Sequence, residues 1–459
     1  MKILTKGAGA AVVYLALAVL LFSTSRTANA LPSYARQTGL ACTGCHYAPP
    51  ELNPAGRLFK LLGYTQKKDN STVPAPDSDK RRPGLQMLEN LPLGAWFETS
   101  MTSTKKAIPG TQNNNIEFPQ DISLFLAGAW SDHVGSFLQV TFDTQDSSFG
   151  MDNTDIRYAN KTKVADKDLI FGLMMNNNPT VEDVWMTLPN WGYPFVAPDS
   201  APSPAASAIL QGSLAQDVAG FGGYAMYDNH FYGDLTLYRS DHIGSSRPNN
   251  GSGATYNING VAPYWRLAYQ ESGRTNVFEA GFFGMHMSSF PGAVSGPTDN
   301  YTDLGGDVEY DRTIGRDVLS FRGMYLHEGQ TLNASYASGA SSYVKEHLNT
   351  ANANVEYHYG NRLTGNIGWF LTSGTADSAL YQSASMLGST YDGVSGSANG
   401  SPRSTGISGN ISYWPVQNID VSFQYNGYTR FNGGSTNYDG SGRNASDNNT
   451  SYLLVRYIF

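Results

Sequence analysis

Cys42-Thr43-Gly44-Cys45-His46 brings two thiols and an imidazole together within five residues. C-x-x-C-H is the attachment signature of a c-type haem: each thiol bonds one vinyl group of the porphyrin and the adjacent imidazole ligates the iron. Cys42 and Cys45 are the only cysteines in 459 residues, so no third thiol competes for a disulfide. A redox C-x-x-C pair belongs in a βαβ context, which is absent here. A zinc site needs two further Cys or His ligands nearby, and the next histidine is His133. The motif points to one covalently held haem c with His46 as axial ligand. For the other face of the iron, Met87 and Met101 are the nearest downstream thioethers, and a Met/His pair raises the potential. Met174 and Met175 join them if their strand faces a lumen. A second chemical cluster is Asp143, Asp146, Asp152 and Asp155, read as an outer loop whose oxygens attract divalent cations such as Fe²⁺.

These groups need elements to hold them. Residues 1–30 read as a signal peptide, with Lys2 and Lys6 before an apolar run and Ala28-Asn29-Ala30 as the cleavage site. Export suits haem attachment outside the cytoplasm. Residues 31–68 form a compact haem segment. Within it Asn53 is a natural N-cap, Pro54 suits the first helical position and Gly63 the stop. Leu58, Leu61 and Leu62 share one face of that helix and are expected to pack on the haem. Residues 69–90, polar and proline-rich, read as a linker. So small a segment has little core of its own and must lean on the next domain.

From residue 91 to residue 459 the pattern has period two. Leu453, Val455, Tyr457 and Phe459 fall on one face of the last strand. Charged residues make up only 15% of the chain and aromatic ones 12%, with 49 Gly and 28 Tyr. Apolar and polar residues alternating over strands of ~10 residues, with aromatic girdles, mark a transmembrane β-barrel. No apolar run after Phe22 reaches the ~20 residues of a membrane helix. Seven tight turns recur at Ser131-Asp132-His133, Val164-Ala165-Asp166, Asp228-Asn229, Ser272-Gly273-Arg274, Thr313-Ile314-Gly315, Gly360-Asn361 and Val416-Gln417. Longer Gly/Ser/Asn-rich loops, including 177–214, 241–260, 374–404 and 431–449, lie between them. Alternating short and long connections are the two rims of a barrel, which neither a propeller nor a sandwich produces. With both ends on the short-turn side, seven turns imply sixteen strands and a lumen wide enough to take the haem segment. The expected fold is thus a mainly β, 16-stranded outer-membrane barrel with a small helical haem segment inside or plugging it. Its long loops are expected outside and both termini in the periplasm.

The net charge of −8 argues against nucleic acid as a partner. No G-x-S-x-G, P-loop or H-E-x-x-H motif is present, so hydrolytic or nucleotide chemistry has no support.

Leu31-Pro-Ser-Tyr-Ala-Arg-Gln-Thr-Gly-Leu-Ala-Cys-Thr-Gly-Cys-His46, then Leu52-Asn-Pro-Ala-Gly-Arg-Leu-Phe-Lys60 and Gly63-Tyr64, resembles the fused outer-membrane cytochrome–porin of iron-oxidising bacteria. So does Asn176-Asn-Asn-Pro-Thr-Val-Glu-Asp-Val-Trp185, with Pro189-Asn-Trp-Gly-Tyr-Pro194 after it. The resemblance spans the haem segment and much of the barrel and is weakest in the loops. It implies a monohaem cytochrome fused to a porin-like barrel, acting as an Fe(II) oxidase. Electrons from extracellular Fe(II) would pass through one haem to a periplasmic cytochrome or copper protein. Cys42, Cys45 and His46 carry over as the haem positions; no distal ligand does. The rival readings are a conduit for outward electron flow and a haem-plugged porin.

Overall fold

The computed structural model describes residues 32–68, 72–73, 87–88, 91–144, 147–188, 198, 200–241, 256–360, 362–382 and 394–459. The signal peptide, Asp146, the run 189–194 and most of the linker lie outside them. Among the described residues, sixteen antiparallel strands close into one barrel. They are β1 (Leu93–Thr104), β2 (Asp121–Ala129), β3 (Val134–Asp143), β4 (Ser148–Val164) and β5 (Lys167–Asn176). Next come β6 (Val218–Tyr227), β7 (Phe231–Ser240), β8 (Ala262–Ser272), β9 (Asn276–Phe290), β10 (Asp299–Ile314) and β11 (Asp317–Leu332). The last are β12 (Lys345–Tyr359), β13 (Leu363–Gly374), β14 (Ser404–Val416), β15 (Ile419–Arg430) and β16 (Thr450–Ile458). Two short pieces, Asn115–Glu117 and Asn257–Ile258, extend the ladders at the loop rim. Closure is the pairing of β16 with β1, from Thr450 opposite Thr104 to Ile458 opposite Trp96.

The hairpin turns fall where turn chemistry put them. Val164 pairs with Lys167 across Ala165 and Asp166, both at positive φ, the two-residue turn whose twist matches the strands. Gly360-Asn361 is bracketed by the pair Tyr359 and Leu363. The outer wall carries Leu173, Phe221, Leu235, Leu267, Phe282, Ile367 and Ile411, all exposed. In water such a belt is a liability; facing lipid it is the reason the barrel crosses a bilayer. Tyr359, Tyr413, Tyr457 and Phe459 ring the short-turn end, an aromatic girdle. The chain is a transmembrane barrel of the outer-membrane type.

Two loop expectations are corrected. The connection between β3 and β4 is only residues 144–147, as short as a turn. The loop after β5 does not stay outside. Val181, Val184, Trp185 and Leu188 are buried within the barrel, and Trp185 Nε1 donates to Gln270 Oε1 at 3.0 Å. Its apolar residues have no lipid to face, so they fold into the lumen and seal part of it.

The N-terminal segment is also inside. Helix α1 (Pro32–Thr38) and helix α2 (Pro54–Leu61) flank a single 3₁₀ turn, Cys42–Gly44. Asn53 caps α2 as expected, its side chain accepting from the amides of Ala55 and Gly56 at 3.0 Å each. Such a cap is worth about 1 kcal/mol. Gly63, at φ +65°, ends the helix in the left-handed region. A Cβ added at Gly135 on β3 would lie 2.3 Å from the Gly63 carbonyl oxygen, so segment and wall meet backbone to backbone. Leu61 packs on Met174, Trp185 and Tyr224 of the barrel interior, Leu62 packs against the same cluster, and Leu58 is exposed. The leucine face therefore docks the helix to the wall. Within residues 69–90, Thr72–Val73 and Met87–Leu88 pair as a two-residue ladder.

Candidate functional site

Cys42, Cys45 and His46 open onto a cavity of about 430 Å³. From the segment it is lined by Tyr34, Phe59, Lys60 and Tyr64. The wall contributes Trp96 and Glu98 of β1, Phe125 of β2, Phe137 of β3, and Arg456 of β16. Gln120, Asp121, Asp152 and Asn153 line it towards the long-loop rim.

The attachment motif is held at both ends. Cys42 N donates to Gln417 Oε1 at 3.2 Å, which fastens it to the β14–β15 turn. His46 Nδ1 lies 3.1 Å from the carbonyl oxygen of Pro50 and 3.2 Å from that of Glu51. A carbonyl only accepts, so Nδ1 carries the ring proton and Nε2 keeps its lone pair. Burial pushes the His46 pKa down, partly opposed by these two hydrogen bonds, so the ring stays neutral. Burial also raises the Cys45 thiol. The two sulfurs are not joined in a disulfide.

The segment is moored by buried polar contacts spread around the wall. Tyr64 Oη donates to Asp155 Oδ2 at 2.6 Å, and the same oxygen accepts from Arg157 Nε at 2.8 Å. Lys60 Nζ donates to the carbonyls of Val181 and Asp183 at 2.5 and 2.9 Å, and burial pushes its pKa down to about 8. Arg57 pairs with Glu309 and Asp311 of β10. Removing one member of such a pair leaves a buried charge at a cost of roughly 3–5 kcal/mol.

The expected site residues divide. Asp152 and Asp155 do face the cavity, but from the inner face of β4 rather than from an outer loop. Asp152 accepts from Thr141 Oγ1 and Gln216 Nε2 at 3.0 Å each. Asp143 ends β3 at the rim. Asp143, Asp152 and Asp155 therefore do not form one pore-mouth cluster, and Asp146 lies outside the described residues. Met101 is on the outer face of β1, alternating with the inward Ser100 and Thr102, and opposite Leu453. It faces lipid and not the cavity that Cys42, Cys45 and His46 share. Of Met87 only the backbone is described, in the ladder with Val73. Met174 is buried in the interior and Met175 faces out.

The methionine that does line the cavity is Met186, buried and at φ +62° in the inward loop. It directly follows the run Asn176–Trp185, which was the available signal. Glu98 and Arg456, ion-paired beneath Trp96, were also missed. They sit on inner faces of strands distant in sequence, where alternation gives the facing but no partner.

No family model and no curated protein matches the chain. Solved porins are similar in architecture at low identity. OmpF of Salmonella typhi, solved in complex with daunomycin, is 10% identical over 80% of this chain and 97% of its own, with a TM-score of 0.44. The outer-membrane channel DcaP of Acinetobacter baumannii is 14% identical over 80% and 96%, TM-score 0.44. The anion-selective porin of Comamonas acidovorans is 11% identical over 80% and 98%, TM-score 0.43.

Proposed function

We propose that the chain is an outer-membrane cytochrome–porin that carries electrons from extracellular Fe(II) to a periplasmic cytochrome or copper protein. One observation carries this reading: Cys42, Cys45 and a neutral His46 share one cavity, which runs towards the long-loop rim between acidic residues. The fit to haem c lies in the donor set. Two thiols outside any disulfide sit beside an imidazole whose Nδ1 is occupied by carbonyls, leaving Nε2 for iron. When bound, the haem supplies the one-electron chemistry. The protein's own residues do the rest. Asp121 and Asp152 make the loop side of the cavity attractive to a cation. The moored segment and inward loop occupy the lumen, which keeps the metal from crossing with its electron. Long loops outside and short turns in the periplasm fit this direction of flow.

The test is rapid mixing of the detergent-purified, haem-loaded protein with Fe(II), following haem absorbance. Reduction within the mixing experiment, slowed in Asp152→Asn, supports the oxidase reading. A haem that stays oxidised with Fe(II) yet accepts electrons from a strong reductant would turn the reading to outward flow. A large steady conductance of the haem-loaded protein in a planar bilayer would instead favour the plugged porin.

A further inference from the structure

On the turn side of the lumen, behind the cavity wall formed by Pro50 and Leu52, Glu51 of the segment meets Glu356 and His358 of β12. Nε2 of His358 lies 3.1 Å from Oε2 of Glu51 and 3.7 Å from Oε2 of Glu356. One nitrogen and two carboxylate oxygens thus come within 4.8 Å of one another. All three residues are at least nine-tenths buried.

The outer oxygens of both glutamates are satisfied. Glu51 Oε1 accepts from Arg322 and, at 3.4 Å, from Ser320 Oγ. Glu356 Oε1 accepts from Arg322 Nη1 at 3.0 Å and from Asn354 Nδ2 at 2.9 Å. The converging atoms, Glu51 Oε2, Glu356 Oε2 and His358 Nε2, have no hydrogen-bond partner outside the trio among the described residues. The ring is fixed from both sides. His358 Nδ1 lies 3.1 Å from Thr364 Oγ1, and Tyr47 stacks on the imidazole at 5.6 Å. With the ring proton on Nδ1, the lone pair of Nε2 points into the same gap as the two oxygens.

Charge argues the same way. Glu51, Glu309, Asp311 and Glu356 face only Arg57 and Arg322 in this buried network. Even with His358 protonated, four carboxylates outnumber the three cations by one where water does not screen them. A divalent cation balances that charge and gives the three atoms a common partner. Metal–nitrogen and metal–oxygen bonds of ~2.0–2.2 Å put neighbouring tetrahedral ligand atoms roughly 3.3–3.6 Å apart, close to the 3.1 and 3.7 Å separations from Nε2. One imidazole with two carboxylates suits first-row transition ions rather than Mg²⁺ or Ca²⁺.

We propose that Glu51, Glu356 and His358 bind a divalent first-row transition cation that clips the N-terminal segment to β12. The site goes beyond the haem reading and does not depend on it. The test is titration of the chelator-washed, full-length protein in detergent with Mn(II), read by electron paramagnetic resonance. About one Mn(II) per chain should bind, show nitrogen coupling from an imidazole, and be displaced by Zn(II). His358→Gln and Glu356→Gln should each weaken binding at least tenfold, while Asp166→Asn, in the exposed turn between β4 and β5, leaves it unchanged. Chelation should also make the segment of the wild-type protein more sensitive to protease. Wild-type protein that binds no Mn(II) at millimolar concentration, or binds it without nitrogen coupling, overturns the proposal without recourse to a variant. So does affinity unchanged in both variants.

Discussion

Nδ1 of His46 sits 3.1 Å from the carbonyl oxygen of Pro50, four residues on in the same short loop. The contact orients the imidazole from within the segment, before any barrel residue takes part. In the proposed haem-loaded protein, His46→Ala should therefore leave the thioether bonds of Cys42 and Cys45 intact while removing the axial nitrogen. The haem is expected to stay with the chain on a denaturing gel, with its absorbance shifted. Added free imidazole should restore the original spectrum, since it fills the space the deleted ring leaves. Covalent haem lost together with the histidine would contradict this separation of roles.

Asp155 ties the segment to the wall through Tyr64 and balances Arg157. Asp155→Asn keeps an acceptor for Tyr64 but leaves Arg157 buried without its charge partner, at about 3 kcal/mol. Tyr64→Phe removes only the hydrogen bond to the carboxylate, at about 2 kcal/mol. Denaturant midpoints for release of the segment should fall in that order. The reverse order would mean that the charge pair is not what moors it.

Met101→Leu should leave the haem spectrum and potential unchanged, because the side chain faces lipid. Met186→Leu, inside the cavity, should alter the spectrum of the haem-loaded protein. The comparison is made on the oxidised protein at fixed pH. Equal spectra for both variants and the wild type would remove Met186 from the haem environment.

Glu182 belongs to the inward loop, and burial raises its carboxyl to about 7 despite hydrogen bonds from Tyr238 and Asn176. Its pKa in the unfolded chain is near 4.5. The folded loop thus holds this proton more tightly than the unfolded chain does. That contribution to stability is complete below the unfolded value and is lost as pH rises through about 7. Glu182→Gln keeps the acceptor and removes the titration. Unfolding midpoints measured between about pH 4 and 8 should therefore decline less steeply in the variant than in the wild type.

Much of the barrel was legible because its signals are local. Period-two alternation in β16 and turn pairs such as Ala165-Asp166 say where a strand faces and where it reverses. The helix α2 was equally plain from Asn53, Pro54 and Gly63. Interior chemistry was not local. Arg57 meets Glu309 and Glu51 meets Arg322 across more than 250 positions, and a polar residue facing the lumen looks like any other polar alternate. The loop 177–188 misled for a different reason. Its Asn and Pro residues read as outer loop, while the buried Val181, Val184, Trp185 and Leu188 decided where it went. Met101 failed as a ligand by parity alone: one position either way would have turned it inward.

Gly63 and Gly135 leave no space between segment and wall. The two halves of the chain are accordingly not interchangeable modules. Grafting this N-terminal segment into another sixteen-strand barrel, or replacing it with a different small cytochrome, would bring a side chain where only backbone fits. The fusion works as a matched pair, and any engineered exchange has to carry the glycine niche along with the motif.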